Sequence, residues 1–158
     1  MKLIWTASSS PLSQLIRWAL KEPVSHFAIV FDDKIVFHSN LLGCHVEWFG
    51  TFKKKCTVVY EVEYKLPLEV EESIYQQIIS ENDKKWYDYR AFAYFAWRAL
   101  LFMLFKTPFP KVNKWNDGDS FLCTGLISKL PKEHFPGLCN ITDSEMTSPY
   151  QAYLKLKK

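Results

Sequence analysis

The sequence predicts an α+β fold in which an antiparallel β-sheet packs against helices, and three observations predict it. Two apolar, β-rich runs, residues 25–31 and 35–38, flank the turn pair Asp32-Asp33 and read as a hairpin. Residues 56–64 alternate, with Val58, Tyr60, Val62 and Tyr64 on one side of a strand. Downstream the period becomes helical, at Val70, Ile74, Ile78 and Ile79 and again at Leu122, Leu126 and Leu130. Of 158 residues 48% are hydrophobic and 23% charged, which suits one well-packed domain over residues 1–158 rather than a disordered chain.

In chain order, residues 3–7 form a short strand candidate. Ser10-Pro11 supplies an N-cap and a proline at the first helical position. Leu12, Leu15, Ile16, Ala19 and Leu20 then carry a helix to about Lys21, before Pro23. After the hairpin, residues 45–49 read as a short third strand. Lys53-Lys54-Lys55 and the tail lysines Lys155, Lys157 and Lys158 read as solvated edges. Pro67 ends the sheet-forming part, and a helix with an acidic and polar outer face runs to about Asn82. Residues 91–105 are apolar nearly all round but fall short of the about 20 residues that span a bilayer. Arg98 interrupts them, and Arg90 and Lys106 bound them. The expected role is a central core helix; the second reading is an interfacial helix that lines an acyl-chain groove or makes peripheral membrane contact. Pro108 and Pro110 open a polar loop leading to a short helix that starts near Asp117–Ser120 and stops at Pro131. Thr142-Asp143-Ser144-Glu145 matches a capping box, and residues 150–156 form a last element of open type.

Cys123 falls in the first turn of the helix before Pro131. There the unpaired backbone N–H groups and the helix dipole are expected to favour a thiolate. Cysteine catalysis also needs an imidazole to carry the proton and a third polar group to orient it. His26 opens the first hairpin strand and His38 ends the second, so the turn brings them together. Cys44, Cys56 and Cys139 read as packing residues, and His45 and His134 receive no role.

Other chemistries lack support. The start, Met1-Lys2-Leu3-Ile4-Trp5-Thr6, has no secretory apolar region, so a cytoplasmic, reducing setting with unpaired thiols is expected. No Cys-x-x-Cys pair points to structural zinc. A metal site built from His26, His38, His45 and Cys44 has no characteristic spacing, and Cys44 and His45, as strand neighbours, face opposite ways. Five glycines and no phosphate-binding loop exclude nucleotide chemistry, and a net charge of +3 is too mild for nucleic acid. No cofactor is expected.

Two motifs carry a family resemblance. Cys123-Thr124-Gly125-Leu126-Ile127 resembles the Cys-Ser-Gly-Leu-Val helix start of NlpC-type papain-fold hydrolases. Ser25-His26-Phe27-Ala28-Ile29-Val30 resembles their Ser-His-Val-Gly-Ile-Tyr strand, and His38, followed by the small Ser39, matches their third polar residue. Here the cysteine follows the histidine, an order similar to the circularly permuted branch with its lecithin–retinol acyltransferase-like members. Residues 12–18, 86–89 and 141–143 are similar to that branch too. Leu122 stands where the family has Asp, and His38 where permuted members often carry an acidic residue.

The resemblance implies a permuted papain-like fold with the nucleophile at a helix N-terminus. It implies a cysteine hydrolase that cleaves an amide, in a peptide or peptidoglycan, or an ester through a Cys123 acyl-enzyme. His26 would be general base and acid, with His38 orienting it. The backbone N–H of Cys123 would serve the oxyanion, and Ser25, Tyr87 or Tyr89 would add polar contacts to it or to the substrate. Two alternatives stand beside this: a lipid-directed acyltransferase or phospholipase-like enzyme, and an inactive interaction module on the same scaffold.

Overall fold

A computed structural model describes residues 1–82, 85–86, 88–107, 123–137, 141 and 147–157. Tyr87, Cys139, the approach to the cysteine helix over residues 117–122 and the capping box at 142–145 lie outside the described residues. The described part is α+β. Its five-stranded sheet is antiparallel throughout and comprises β1 (Lys2–Ala7), β2 (His26–Phe31), β3 (Ile35–Asn40), β4 (Gly43–Trp48) and β5 (Thr57–Glu63). Across the sheet the order is β4-β3-β2-β1-β5. The helices are α1 (Pro11–Leu20), α2 (Phe49–Lys55), α3 (Leu68–Asn82), α4 (Tyr89–Phe105), a 3₁₀ helix (Cys123–Lys129) and α5 (Pro149–Leu156).

Both faces of the sheet are covered, which is why β2 reads as an apolar run rather than an alternation. One face presents Leu3, Trp5, Phe27, Ile29, Phe31 and Phe37. Against it pack Ile74 and Ile78 of α3, Leu126 and Ile127 of the 3₁₀ helix, and Ala152, Tyr153 and Leu156 of α5. Trp5 anchors this layer, with Phe27 at 5.3 Å and Tyr153 at 5.2 Å between ring centroids, tilted and edge-on as aromatic quadrupoles prefer. The opposite face presents Ile4, Ala28, Val30 and Val36, and Phe49 and Phe52 of α2 close over it.

Several elements obey the sequence closely. Ser10 caps α1, its hydroxyl accepting from Ser13 N–H at 3.2 Å with Pro11 at the first helical position. Lys21 ends α1 in the left-handed conformation (φ 56°). The last element is helical, capped by Ser148.

Other elements depart from expectation. The lysine run 53–55 is exposed, as a solvated edge would be, but it belongs to a helix that was not expected: it forms the last turn of α2, where cations suit the helix dipole. Val58 does not share a side with Tyr60 and Val62. A register shift in the β1–β5 ladder, where Trp5 pairs with Tyr60 and Thr6 with Val58, leaves Val59 as an extra residue. It sends Val58 to the α2 face while Tyr60 and Val62 stay on the Trp5 face. Nor is α4 the central helix. It packs on α1, burying Tyr94, while Trp97, Leu104 and Phe105 remain exposed among the described residues. The core it was expected to fill is occupied by α3, α5 and the 3₁₀ helix. Among the described residues no helix is long and apolar enough to cross a membrane.

Gly43 starts β4 with φ +101°, a region closed to side chains, and a Cβ there would stand 2.4 Å from the carbonyl oxygen of Lys85. That carbonyl accepts from Cys44 N–H at 2.8 Å, so it is held in place. Gly43→Ala is therefore expected to destabilise by roughly 1–3 kcal/mol. Thermal melts should show a fall of about 2–4 °C per kcal/mol, and an unchanged midpoint would contradict the close approach.

Candidate active site

The site grows from strand register. In the β2–β3 hairpin Phe31 pairs with Ile35 and Ala28 with His38, and in β3–β4 His38 stands opposite His45. Side chains alternate along each strand, so His26, His38, His45 and Glu47 share the sheet face that α2 covers. Cys44 points the other way, into the main core, as its neighbour relation to His45 requires.

His26, His38, Glu47 and Lys55 form a continuous hydrogen-bonded line. His26 Nε2 lies 3.1 Å from His38 Nδ1, and His38 Nε2 lies 3.0 Å from Glu47 Oε1. Lys55 at the end of α2 donates to Glu47 Oε2 at 2.5 Å. The Phe52 ring sits 5.0 Å from the His38 ring and 6.3 Å from the His26 ring, walling both imidazoles.

The line has a direction. An ionised carboxylate only accepts, so His38 must carry its proton on Nε2. A neutral His38 then offers a lone pair at Nδ1, which accepts from Nε2–H of His26. That leaves the Nδ1 of His26 as the basic atom.

Cys123 opens the 3₁₀ helix, which packs against β2 and β3. The β2–β3 pairing stops at Ala28 and His38 although β2 begins at His26 and β3 runs on to Asn40. At this end the sulfur takes a hydrogen bond from the backbone of Phe27, the residue after His26. Cys123, His26, His38, Glu47 and Lys55 all line one cavity of about 770 Å³. Ser25 lines it as well, its hydroxyl 2.6 Å from that of Ser13 at the start of α1. Leu12, Ile16, Leu41, Leu42, Phe52 and Phe92 give it apolar walls. The Tyr89 hydroxyl donates to the carbonyl of Leu41 rather than pointing to the sulfur. Cys44, Cys56 and Cys123 form no disulfide with one another.

The electrostatics differ from the expected thiolate. Burial pushes the Cys123 thiol up to about 11, against hydrogen bonds from the backbone of Phe27, Thr124 and Cys123 itself. Burial likewise brings His26 down to about 3, with help from the positive charges that His38 and His45 would carry. His38 is lowered to about 3 by burial, then by His45 and Lys55. The helix that was expected to stabilise a thiolate is a seven-residue 3₁₀ segment. The site rests as a neutral thiol and neutral imidazoles.

Cys123, His26, His38 and Ser25, each a candidate from the sequence, meet in one cavity. Glu47, Lys55 and Phe52 join them there although the sequence alone does not single them out. The signal was present in part, since Glu47 falls two residues after His45 on a strand and so shares its face. No family model, no curated protein and no solved structure matches this chain.

Two measurements follow from the neutral site. Between the ordinary 6.5 of histidine and about 3, the unfolded chain binds protons at His26 and His38 that the folded chain refuses. Stability is thus full above pH 6.5 and is lost as pH falls towards 3, by up to about 1.4 kcal/mol per pH unit for each histidine. Denaturant titrations from pH 7 to 4 should show this slope, and a flat profile would contradict neutral histidines. Alkylation of Cys123 by iodoacetamide, mapped by mass spectrometry, should keep rising beyond pH 9 towards about 11. A plateau near neutrality would mean a pre-formed thiolate.

Proposed function

We propose that this chain is a cysteine hydrolase of the permuted papain-like type, acting through a Cys123 acyl-enzyme. The observation that carries the reading is the line from His26 through His38 to Glu47, opening on the cavity that Cys123 also lines. A histidine pair that served packing alone would not need a carboxylate to set its proton positions. The order of the parts also supports the permuted arrangement: histidine on β2, orienting group on β3, and the nucleophile on a later helix packed against those two strands.

In the reaction Sγ of Cys123 bonds to the acyl carbon as its proton passes to Nδ1 of His26. The new imidazolium donates from Nε2 to His38, which donates onward to Glu47, so the charge is met without any of these groups moving. His26 then returns the proton to the departing amine or alkoxide, and water repeats the sequence to release the acid. With the thiol near 11 and the imidazole near 3, proton transfer accompanies bond formation rather than preceding it. The backbone N–H of Cys123 is the candidate donor to the oxyanion, and the Ser13–Ser25 hydroxyl pair lines the same cavity as a further polar group.

Peptide amides and esters both fit this chemistry. The apolar walls built by Leu12, Ile16, Leu41, Leu42 and Phe92 favour a second reading, an acyl-lipid ester or acyl transfer.

Incubation with an activated p-nitrophenyl ester should add one acyl mass to Cys123 in the native chain and none in Cys123→Ala. Acylation unchanged in Cys123→Ala, or absent from the native chain across short and long esters and peptide amides, would leave the inactive scaffold as the better account. Glu47→Gln can present an amide N–H to His38 and so reverse the proton positions along the line. It is expected to lower kcat by roughly 10²–10⁴-fold with KM little changed; a kcat within twofold of native would remove Glu47 from the mechanism.

A further inference from the structure

We propose that His38, His45 and Glu47 form a binding site for a divalent transition-metal ion, zinc above all, and that its occupation switches the His26–Cys123 pair off. The site follows from register. His38 and His45 face each other across β3 and β4, and Glu47 is the next residue of β4 on the same side. One ligand atom from each of the three lies within 4.8 Å of the others. Tetrahedral bonds of about 2.0–2.1 Å place ligand atoms about 3.3 Å apart, so small side-chain rotations complete the set. His38 Nε2 and Glu47 Oε1 already stand at 3.0 Å. Two imidazoles and one carboxylate suit zinc and leave its fourth position open to water.

The outer contacts fit as well. His45 Nδ1 lies 3.1 Å from the Gly43 carbonyl, which takes its proton and leaves Nε2 with the lone pair. Lys55 holds Glu47 Oε2, leaving Oε1 for the ion. His38 is buried and His45 and Glu47 are half-buried, and His38 and Glu47 line the cavity, so an ion has a path to the group.

The switching follows from proton bookkeeping. A metal on His38 Nε2 requires the His38 proton to sit on Nδ1, from which it donates to Nε2 of His26. His26 must then carry its own proton on Nδ1, the atom that would have received the thiol proton. No proton enters or leaves; both imidazoles change tautomer, and the base is lost. The metal site stands on geometry alone, while its effect on turnover rests on the thiol-hydrolase reading.

Zinc titration against a chromogenic chelator, using the whole chain, tests both parts. One zinc per chain is expected in the native protein and in Cys123→Ala, since sulfur is not a ligand. His45→Ala and His45→Phe should each weaken binding by at least about 100-fold, beyond the 10–100-fold that outer contacts contribute. The phenylalanine variant keeps a ring against His38 (centroids 4.4 Å apart in the native chain), which guards against simple misfolding. No stoichiometric binding by the native chain, undiminished binding by both His45 variants, or loss of binding in Cys123→Ala would overturn the site. Zinc should also slow acylation of Cys123 at least tenfold in the native chain and not in His45→Phe. Binding without that slowing would keep the site and overturn the switch; acylation absent in both chains would overturn the switch by removing the reaction it acts on.

Discussion

The arrangement depends on the connection between β2 and β3. Asp32 and Asp33 both take left-handed φ (49° and 53°), Lys34 N–H closes the turn onto the Phe31 carbonyl at 3.1 Å, and pairing resumes at Ile35. Three residues therefore separate the paired positions, and the register puts Ala28 opposite His38. With one residue fewer, His38 would face Phe27 and its ring would enter the apolar layer with Phe37's neighbours. A slip of one residue exchanges the faces of an entire strand. The site thus exists because a short polar turn carries Lys34 as its third residue.

The same register explains how one sheet serves two purposes. Its Trp5 face is filled by α3, α5 and the 3₁₀ helix, which supplies the bulk of apolar burial. Among the described residues its other face is closed by Phe49 and Phe52 of α2, and the end near Thr6, His26 and His38 lines a cavity. The Val59 bulge helps, because it turns Val58 towards α2 and lets β5 serve both layers. Fold and site are coupled through α2. Phe52 walls the imidazoles while Lys55, one turn on, reaches Glu47.

What was legible in the sequence follows from what is local. Caps, turn residues and alternation depend on near neighbours, so α1, the hairpin, β5 and α3 could be read directly. His26 and His38 could be paired because a hairpin joins them. Whether they faced the same way could not be read, since Asp32-Asp33 fits connections of either parity. Glu47 and Lys55 join the line through β4 and α2, elements defined by contacts across the sheet rather than by period; Phe49 and Phe52 alone gave too little helical pattern. The thiol departs from the thiolate expected of it for a related reason. A helix start argues for a thiolate from local dipoles, but the shift is decided by how fully the sulfur is removed from water, which only the packed chain determines.

That balance between dipole and burial has a chemical consequence. With Cys123 and His26 half-buried beside the cavity, an ion pair between them is unfavourable at rest, because burial costs each charge hydration that the short 3₁₀ helix does not replace. The same partial burial strengthens any hydrogen bond made to a charge that forms there. Glu47 is partly neutralised by Lys55, so it acts on His38 less as a field than as an acceptor that fixes where protons sit. The line is thereby orienting at rest and stabilising once His26 becomes cationic. Such a difference between ground and charged states is what accelerates a reaction, whereas equal binding of both would not. It also makes the line sensitive at its far end: whatever partner His38 Nε2 has, acceptor or cation, dictates the proton position on His26.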